Sequence, residues 1–462
     1  MLRSSLSLSA VAFLPLAFTL SLAGCGSSND ATAATPAPGG TGGAAGAGGG
    51  SAAGTSAVGG AGGTAGAAGM AGATSSLGGS GGSGGAGGGD TGGAGGDSGG
   101  SGGTDAGGAG GAGGDMGGGG FVTAPHPNPP KLFDSGGPKL KDPQIVTITF
   151  PGYPYKSQVE ALGDFFPGSS WMKTWTSEYG VGTGAHVAKV VLPMPPSPMI
   201  DDKTIGAWLV DLIKAGTVPA PPDPKVNDYI YMIYYPVGVK ITGTTGSSCV
   251  EYDGYHTSTA LDSQDIKVAY AVNMTCPGSS VYFTASHELN EAVLDPQPQN
   301  APALSFVNSY SPWTIMGSES SDACENLGVS EGGWTLTRVW SNANASSGDD
   351  PCIPKPKNDV FYGVTATPAI TQFVKPGKTL TYTLQAWSES PIANWKLQAF
   401  NYNGPYNPKL TLSQTSVNNG DTVTLTFTIP ANAKSGDFGT VLVYSNRSQN
   451  DYHFWPVAWA IN

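Results

Sequence analysis

Ala285-Ser286-His287-Glu288-Leu289-Asn290-Glu291-Ala292-Val293-Leu294-Asp295-Pro296 is the stretch on which the reading of this chain turns. Wound as an α-helix, it sets His287 and Glu291 one turn apart on one face, with Asp295 a further turn along. Glu288 stands beside His287. The spacing follows H-E-x-x-H, in which two side chains one turn apart hold zinc and the glutamate between them is a general base. Here the second ligand position carries Glu291 in place of histidine. Ser279 or Ser280 offers an N-cap, and Pro296 ends the helix and biases Asp295 out of helical geometry. Asp295 therefore has a weaker claim on the shared face than His287 or Glu291.

Val281, Ala285, Leu289 and Ala292 are apolar on one side of this helix, and Phe283 and Leu294 on another, so the helix is expected to be buried. Burying His287, Glu288 and Glu291 together is costly unless a cation pairs them. The nearest downstream basic residue is Arg338, far along the chain, so a metal fits the need. The competing reading is a solvated helix face with His287 as a satisfied core residue. The chain has five histidines, at 126, 186, 256, 287 and 453, so any metal site here must recruit carboxylates; zinc accepts them at ordinary bond lengths. Gly317-Ser-Glu-Ser-Ser-Asp-Ala-Cys324 offers Glu319 and Asp322, three apart, as candidates for the third ligand. Glu288 is then the catalytic base. His256 or its neighbour Tyr255, following an expected strand, is placed to polarise a substrate carbonyl. Calcium is a weaker option for a set this rich in carboxylates.

Upstream, β-branched runs at 145–150, 187–192, 229–235 and 266–272 alternate with helical patterns at 155–166 and 202–215. This alternation predicts an α/β (α+β) domain with a mixed sheet over 121–357. Residues 358–462 read differently. Alternating segments at 379–386, 409–412, 422–429 and 439–444 are separated by Asn418-Asn419-Gly420-Asp421 and Ser435-Gly436-Asp437, which predicts a small all-β sandwich. It resembles the immunoglobulin-like modules appended to bacterial surface enzymes. Trp387, Trp395, Trp455 and Trp459 are read mainly as its core, with glycan stacking as the competing role.

The N-terminus is read as leader and tether. Residues 1–24 carry Arg3 and an apolar run, a secretory signal pattern. Leu22-Ala23-Gly24-Cys25 resembles the bacterial lipobox, which implies lipidation of Cys25 and anchoring in a lipid bilayer, at the outer membrane or cell surface. Glycine fills 43 of the 82 positions from 39 to 120, so residues 25–120 build no core. As a flexible coil the stretch spans on the order of 50 Å. Beyond it stand 20 basic and 28 acidic residues with no basic stripe, which argues against nucleic acid as a partner. Cys249, Cys276, Cys324 and Cys352 suit two disulfides in an oxidising compartment. Pairing in sequence order closes short loops and is the expectation, with two other pairings open.

Ser286-His287-Glu288-Leu289-x-Glu291-Ala292-x-x-Asp295-Pro296, followed after Trp313 by Glu319-x-x-Asp322-x-Cys324, resembles the phosphate-induced, Exordium-like proteins and their bacterial zincin-like relatives. These pair a His-Glu-x-x-Glu helix with a downstream Glu-Ile-x-Asp-x-Cys. Cys249 with Gly254-Tyr255-His256 is similar to their upstream block. The resemblance covers about 145–355. Ser320-Ser321 and Leu294 depart from the usual residues, and neither removes a candidate ligand. The resemblance implies a zincin-like domain with zinc on His287, Glu291 and Glu319 (or Asp322); the spacing of the two acids is similar to that of zinc peptidases whose third ligand is a downstream glutamate, with an aspartate beside it orienting the first histidine. The expected function is a surface lipoprotein that hydrolyses peptide bonds in a peptide or protein substrate by metal-activated water. The alternative is a non-catalytic surface, cell-wall or glycan-binding protein on the same scaffold, with glycan contact through the C-terminal domain.

Overall fold

The computed structural model describes residues 120–462 except 194–198, 223–226, 244–245, 263–265, 307–310, 317–318 and 449–450. The leader, Cys25 and the tether up to residue 119 lie outside the described residues, as do Gly317 and Ser318 of the acid-rich segment.

The first part of the chain runs β1 (Gln144–Thr149), α1 (Lys156–Phe165), α2 (Ser170–Tyr179), β2 (Ala185–Val191), α3 (Asp202–Lys214), β3 (Tyr229–Tyr235), β4 (Gly254–Ala260), β5 (Lys267–Met274) and α4 (Val281–Leu294). The five strands form one mixed sheet in the order β2-β1-β3-β5-β4. All neighbours are parallel except β4, which runs antiparallel to β5 at the edge. Period-2 alternation sorts the side chains between two covered faces. Ile230, Met232 and Tyr234 of β3, with Ala269 and Ala271 of β5, pack in the core that includes α1, α2 and α4. Tyr231, Ile233 and Tyr235, with Val268, Tyr270 and Val272, pack against Ile205, Leu209 and Ile213 of α3.

Helix α4 starts where Ser280, in extended geometry, accepts a hydrogen bond from Phe283 N at 3.3 Å. It ends at Leu294, and Asp295 leaves helical geometry at φ −147°. Twelve of its 14 residues are buried, so no solvated glutamate face exists. The helix lies on β5 and β4 and is covered from the other side by the hairpin β6 (Gly328–Glu331) and β7 (Trp334–Thr337), whose Thr337 N donates to Ser286 Oγ at 2.8 Å.

The C-terminal strands form a two-sheet sandwich. One sheet holds β8 (Tyr362–Thr367), β10 (Thr379–Ser388), β14 (Thr422–Thr428) and β12 (Thr411–Leu412). The other holds β9 (Gln372–Val374), β16 (Asp451–Ile461), β15 (Phe438–Ser448), β11 (Trp395–Asn403) and β13 (Ser416–Val417). Trp387, Trp395, Trp455 and Trp459 are all at most 9% exposed, so none of these indoles offers a face to a sugar. The core continues from the α/β layer into the sandwich. Trp313 packs on Phe454 and Trp455, and Tyr452 Oη donates to Asn326 O at 2.7 Å. The sandwich thereby holds the segment that brings Asp322 to α4.

The disulfides join Cys249 to Cys276 and Cys324 to Cys352, the sequence-order pairing. Replacing both Cys324 and Cys352 by Ala is expected to cost roughly 3–4 kcal/mol, from releasing a loop closed across 28 residues. The lost stability is read as a lower denaturant midpoint. An unchanged midpoint would show that packing alone holds the Asp322 segment.

Candidate metal centre

Three elements bring the candidate residues together. Helix α4 carries His287, Glu288 and Glu291. A short 3-10 turn at Asp322–Cys324 carries Asp322, with Glu319 just before it. Strand β4 carries His256 within it; the expectation that His256 follows a strand is corrected here. Alternation along β4 sends His256 to the α4 face and Tyr255 to the α3 face, where Tyr255 packs in the other core. Tyr255 therefore plays no part at this site. Gly254 permits the close approach of β4: a Cβ there would stand 2.5 Å from Thr284 Cγ2 and 2.8 Å from Glu288 Oε1.

His287 Nε2 lies 3.1 Å from Glu291 Oε1 and 3.3 Å from Asp322 Oδ1. These spacings suit ligands arranged tetrahedrally about zinc, about 3.3 Å apart for bonds of about 2.0 Å. Glu291 Oε1 also accepts from the backbone N–H of Asp322 at 3.0 Å and of Ser321 at 3.2 Å. Asn290 Oδ1 accepts from Ser320 and Ser321 Oγ at 2.5 and 2.8 Å. Ser320 and Ser321 thus clamp the acid-rich turn onto α4. Of the two candidates for third ligand, Asp322 faces His287, whereas Glu319 Oε1 lies 3.6 Å from His256 Nε2. Asp295 is turned away, its carboxylate accepting from Ala303 N at 3.0 Å.

His256 Nδ1 lies 3.4 Å from Glu288 Oε2 and 3.6 Å from Glu291 Oε2, and its Nε2 lies 3.1 Å from Asp295 O. This carbonyl is invisible to side-chain reasoning, since it is backbone 39 residues away. His256, His287, Glu288 and Glu291 are each no more than 2% exposed. Among the described residues no lysine or arginine is ion-paired with Glu288, Glu291, Glu319 or Asp322. Arg338 is committed elsewhere, to Asp350 and, at 3.6 Å, to Asp359. Buried acids that meet only imidazoles, with no lysine or arginine, offer the donor set of a cation site. Asn290 Nδ2 and both amide atoms of Asn273, the register partner of Gly254, are buried without a hydrogen-bond partner among the described residues.

Without a metal, protons must balance these charges. Burial, with Glu291 beside it, pushes Asp322 up to about 8. Burial and Glu291 raise Glu319 well above the usual carboxylate range, and burial raises Glu288. Burial works against Glu291 ionisation, but His287, His256 and the Asp322 N–H outweigh it and hold Glu291 below its ordinary value. Burial would lower His256, yet Glu319, Glu288 and Glu291 carry it up to about 10. The sign follows from linkage. Folded Asp322 keeps a proton that the unfolded chain releases near 4, so its contribution to stability falls as pH rises from about 4 to about 8. The stabilisation from His256 is full below about 6.5 and is lost as pH rises through about 10. The chelated protein is therefore expected to melt lower at pH 8 than at pH 5. Zinc should raise the melting temperature more at pH 8, because ligands bind it deprotonated. A profile rising from pH 5 to 8 without metal would contradict this balance.

No protein-family model matches the chain, and no curated protein matches it. Among solved structures, it is similar over 26% of its length to 29% of a nucleoside hydrolase-related protein of Saccharophagus degradans associated with carbohydrate metabolism, at 15% identity and a TM-score of 0.17. It is similar over 21% of its length to 95% of a conjugative transposon lipoprotein of Bacteroides eggerthii, at 12% identity and a TM-score of 0.18. Over 29% of its length it is similar to 55% of domains 4 and 5 of the S-layer protein SbsC, at 13% identity and a TM-score of 0.17. The chain thus spans under a third of the first of these structures. None of these partial likenesses carries a functional argument.

Proposed function

We propose that the chain is a zinc-dependent hydrolase of peptide bonds built on a zincin-like α/β domain. In this reading it is exported and held at the outer membrane or cell surface by a lipidated Cys25, with an immunoglobulin-like sandwich behind the site. Among the described residues no helix is long and apolar enough to cross a membrane. The observation that carries the reading is the convergence of His287 Nε2, a Glu291 oxygen and an Asp322 oxygen within 4.8 Å of one another, all buried. These three would hold the ion. A zinc ion bound there supplies Lewis acidity toward a carbonyl and makes water a nucleophile at neutral pH. Glu288, as the carboxylate, would take up the proton from water and later return it; burial raises it above its ordinary value, which strengthens it as a base. Glu319, whose side chain is 12% exposed, is the member of the set nearest to solvent.

The test is hydrolysis of a denatured protein by the full chain. Chelation should abolish cleavage and one equivalent of zinc should restore it. Cleavage that survives chelation would overturn the reading.

One observation favours a second reading. His287, Glu288 and Glu291 are so deeply buried that the cation could serve the fold alone, in a non-catalytic surface or cell-wall-binding protein. Chelation would then lower the melting temperature while no hydrolysis is found with or without zinc.

A further inference from the structure

Glu291 offers its two carboxylate oxygens to two different imidazoles. Oε1 faces His287 Nε2 at 3.1 Å and Oε2 faces His256 Nδ1 at 3.6 Å. The first contact belongs to the site proposed above. The second opens onto another triad: ligand atoms of His256, Glu288 and Glu291 also lie within 4.8 Å of one another, and all three residues are buried.

The hydrogen bonding of His256 bears on what this triad holds. A neutral ring donates Nε2–H to the carbonyl of Asp295, 3.1 Å away. That tautomer aims the Nδ1 lone pair at the carboxylates of Glu288 and Glu291. That lone pair is the one a cation held between the two carboxylates would use; without a metal a proton occupies the position. The arrangement is also that of ligating histidines, whose second N–H is held by a backbone carbonyl or carboxylate. Charge points the same way. Glu288, Glu291, Glu319 and Asp322 are four acids with no lysine or arginine paired to them among the described residues. With all four acids ionised, one divalent cation at His287 leaves about two negative charges in a low-dielectric interior, to be balanced by protons, as on His256, or by a further cation. A second divalent cation removes them.

We infer that His256, Glu288 and Glu291 form a second divalent-cation site, bridged to the first through the Glu291 carboxylate. This rests on the reading of His287, Glu291 and Asp322 as a cation site. Imidazole with two carboxylates selects a zinc- or manganese-like ion, whereas calcium asks for six to eight oxygens. A shared carboxylate sets two ions about 3.5–4 Å apart. Filling the second site makes Glu288 a ligand and takes it out of proton transfer, so the base role of Glu288 belongs to the singly loaded protein.

The test is a titration of the chelated, dialysed full chain with Co2+ alone, followed by visible absorption and bound-metal content, and a parallel loading with Mn2+ followed by electron paramagnetic resonance. Two equivalents of Co2+ are expected per chain, and doubly loaded Mn2+ protein should show spin coupling. His256→Ala should bind one equivalent and show no coupling. Saturation of the parent at one equivalent, lost in His287→Ala and kept in His256→Ala, overturns the second site and leaves the first; the occupant between His256 and the acids is then a proton. No bound cation at all removes both sites. Should His256→Ala fail to fold, coupling in the doubly loaded parent decides alone: its absence overturns the bridge.

Discussion

Glu291→Gln is expected to strip stoichiometric zinc from the protein. Its carboxylate is the one group that touches both imidazoles and both backbone N–H groups of the acid-rich turn. The amide keeps the size and one oxygen but loses the charge and turns an N–H2 toward a ring nitrogen or a backbone donor. Weakening a partner of a ligand typically costs about 10–100-fold in metal affinity; loss of the shared ligand should exceed that. Competition with a chelator of known affinity measures the change. If Glu291→Gln binds zinc as the parent does, His287 and Asp322 do not use Glu291 to hold the ion.

Glu288→Gln separates binding from chemistry. Glu288 faces His256, not His287, so the amide should leave zinc at His287, Glu291 and Asp322 in place. Removing the group that carries the proton should lower peptide hydrolysis by about 10²–10⁴-fold, read as kcat at saturating substrate. Equal activity in the variant and the parent would exclude Glu288 as the base. Loss of zinc along with activity would place Glu288 among the holders of the ion at His287.

Much of this architecture is legible in the sequence, and the exceptions have physical causes. β3 and α4 stand out because an uninterrupted apolar run and a capped, Pro-terminated segment leave few alternatives. Helix α2 escapes the reading, although Ser169 caps it and Trp171, Met172 and Trp175 mark its buried side, because the Trp, Thr, Ser and Tyr residues that fill it have low helix propensity. Strand β4 is obscured as a Thr- and Ser-rich edge strand lacking a continuous apolar face, so His256 reads as a loop residue. In the sandwich, β16 contains Pro456 and β11 is rich in Asn, and both weaken the strand signal. The gathering of His287, Glu291 and Asp322 follows helical spacing and the 317–324 block. That Asp322 faces His287 while Glu319 faces His256 depends on the Ser320 and Ser321 clamp to Asn290, a tertiary contact that spacing does not encode. The approach of His256 depends on Gly254 and on the carbonyl of Asp295, and neither shows its role in a linear pattern.

The most direct test of the central claim is the metal content of the purified full chain, measured by inductively coupled plasma mass spectrometry after exchange into metal-free buffer. At least one tightly held divalent cation per chain is expected, lost in His287→Ala. A chain that carries none, takes up none from added zinc, and melts at the same temperature with and without chelator would contradict the account.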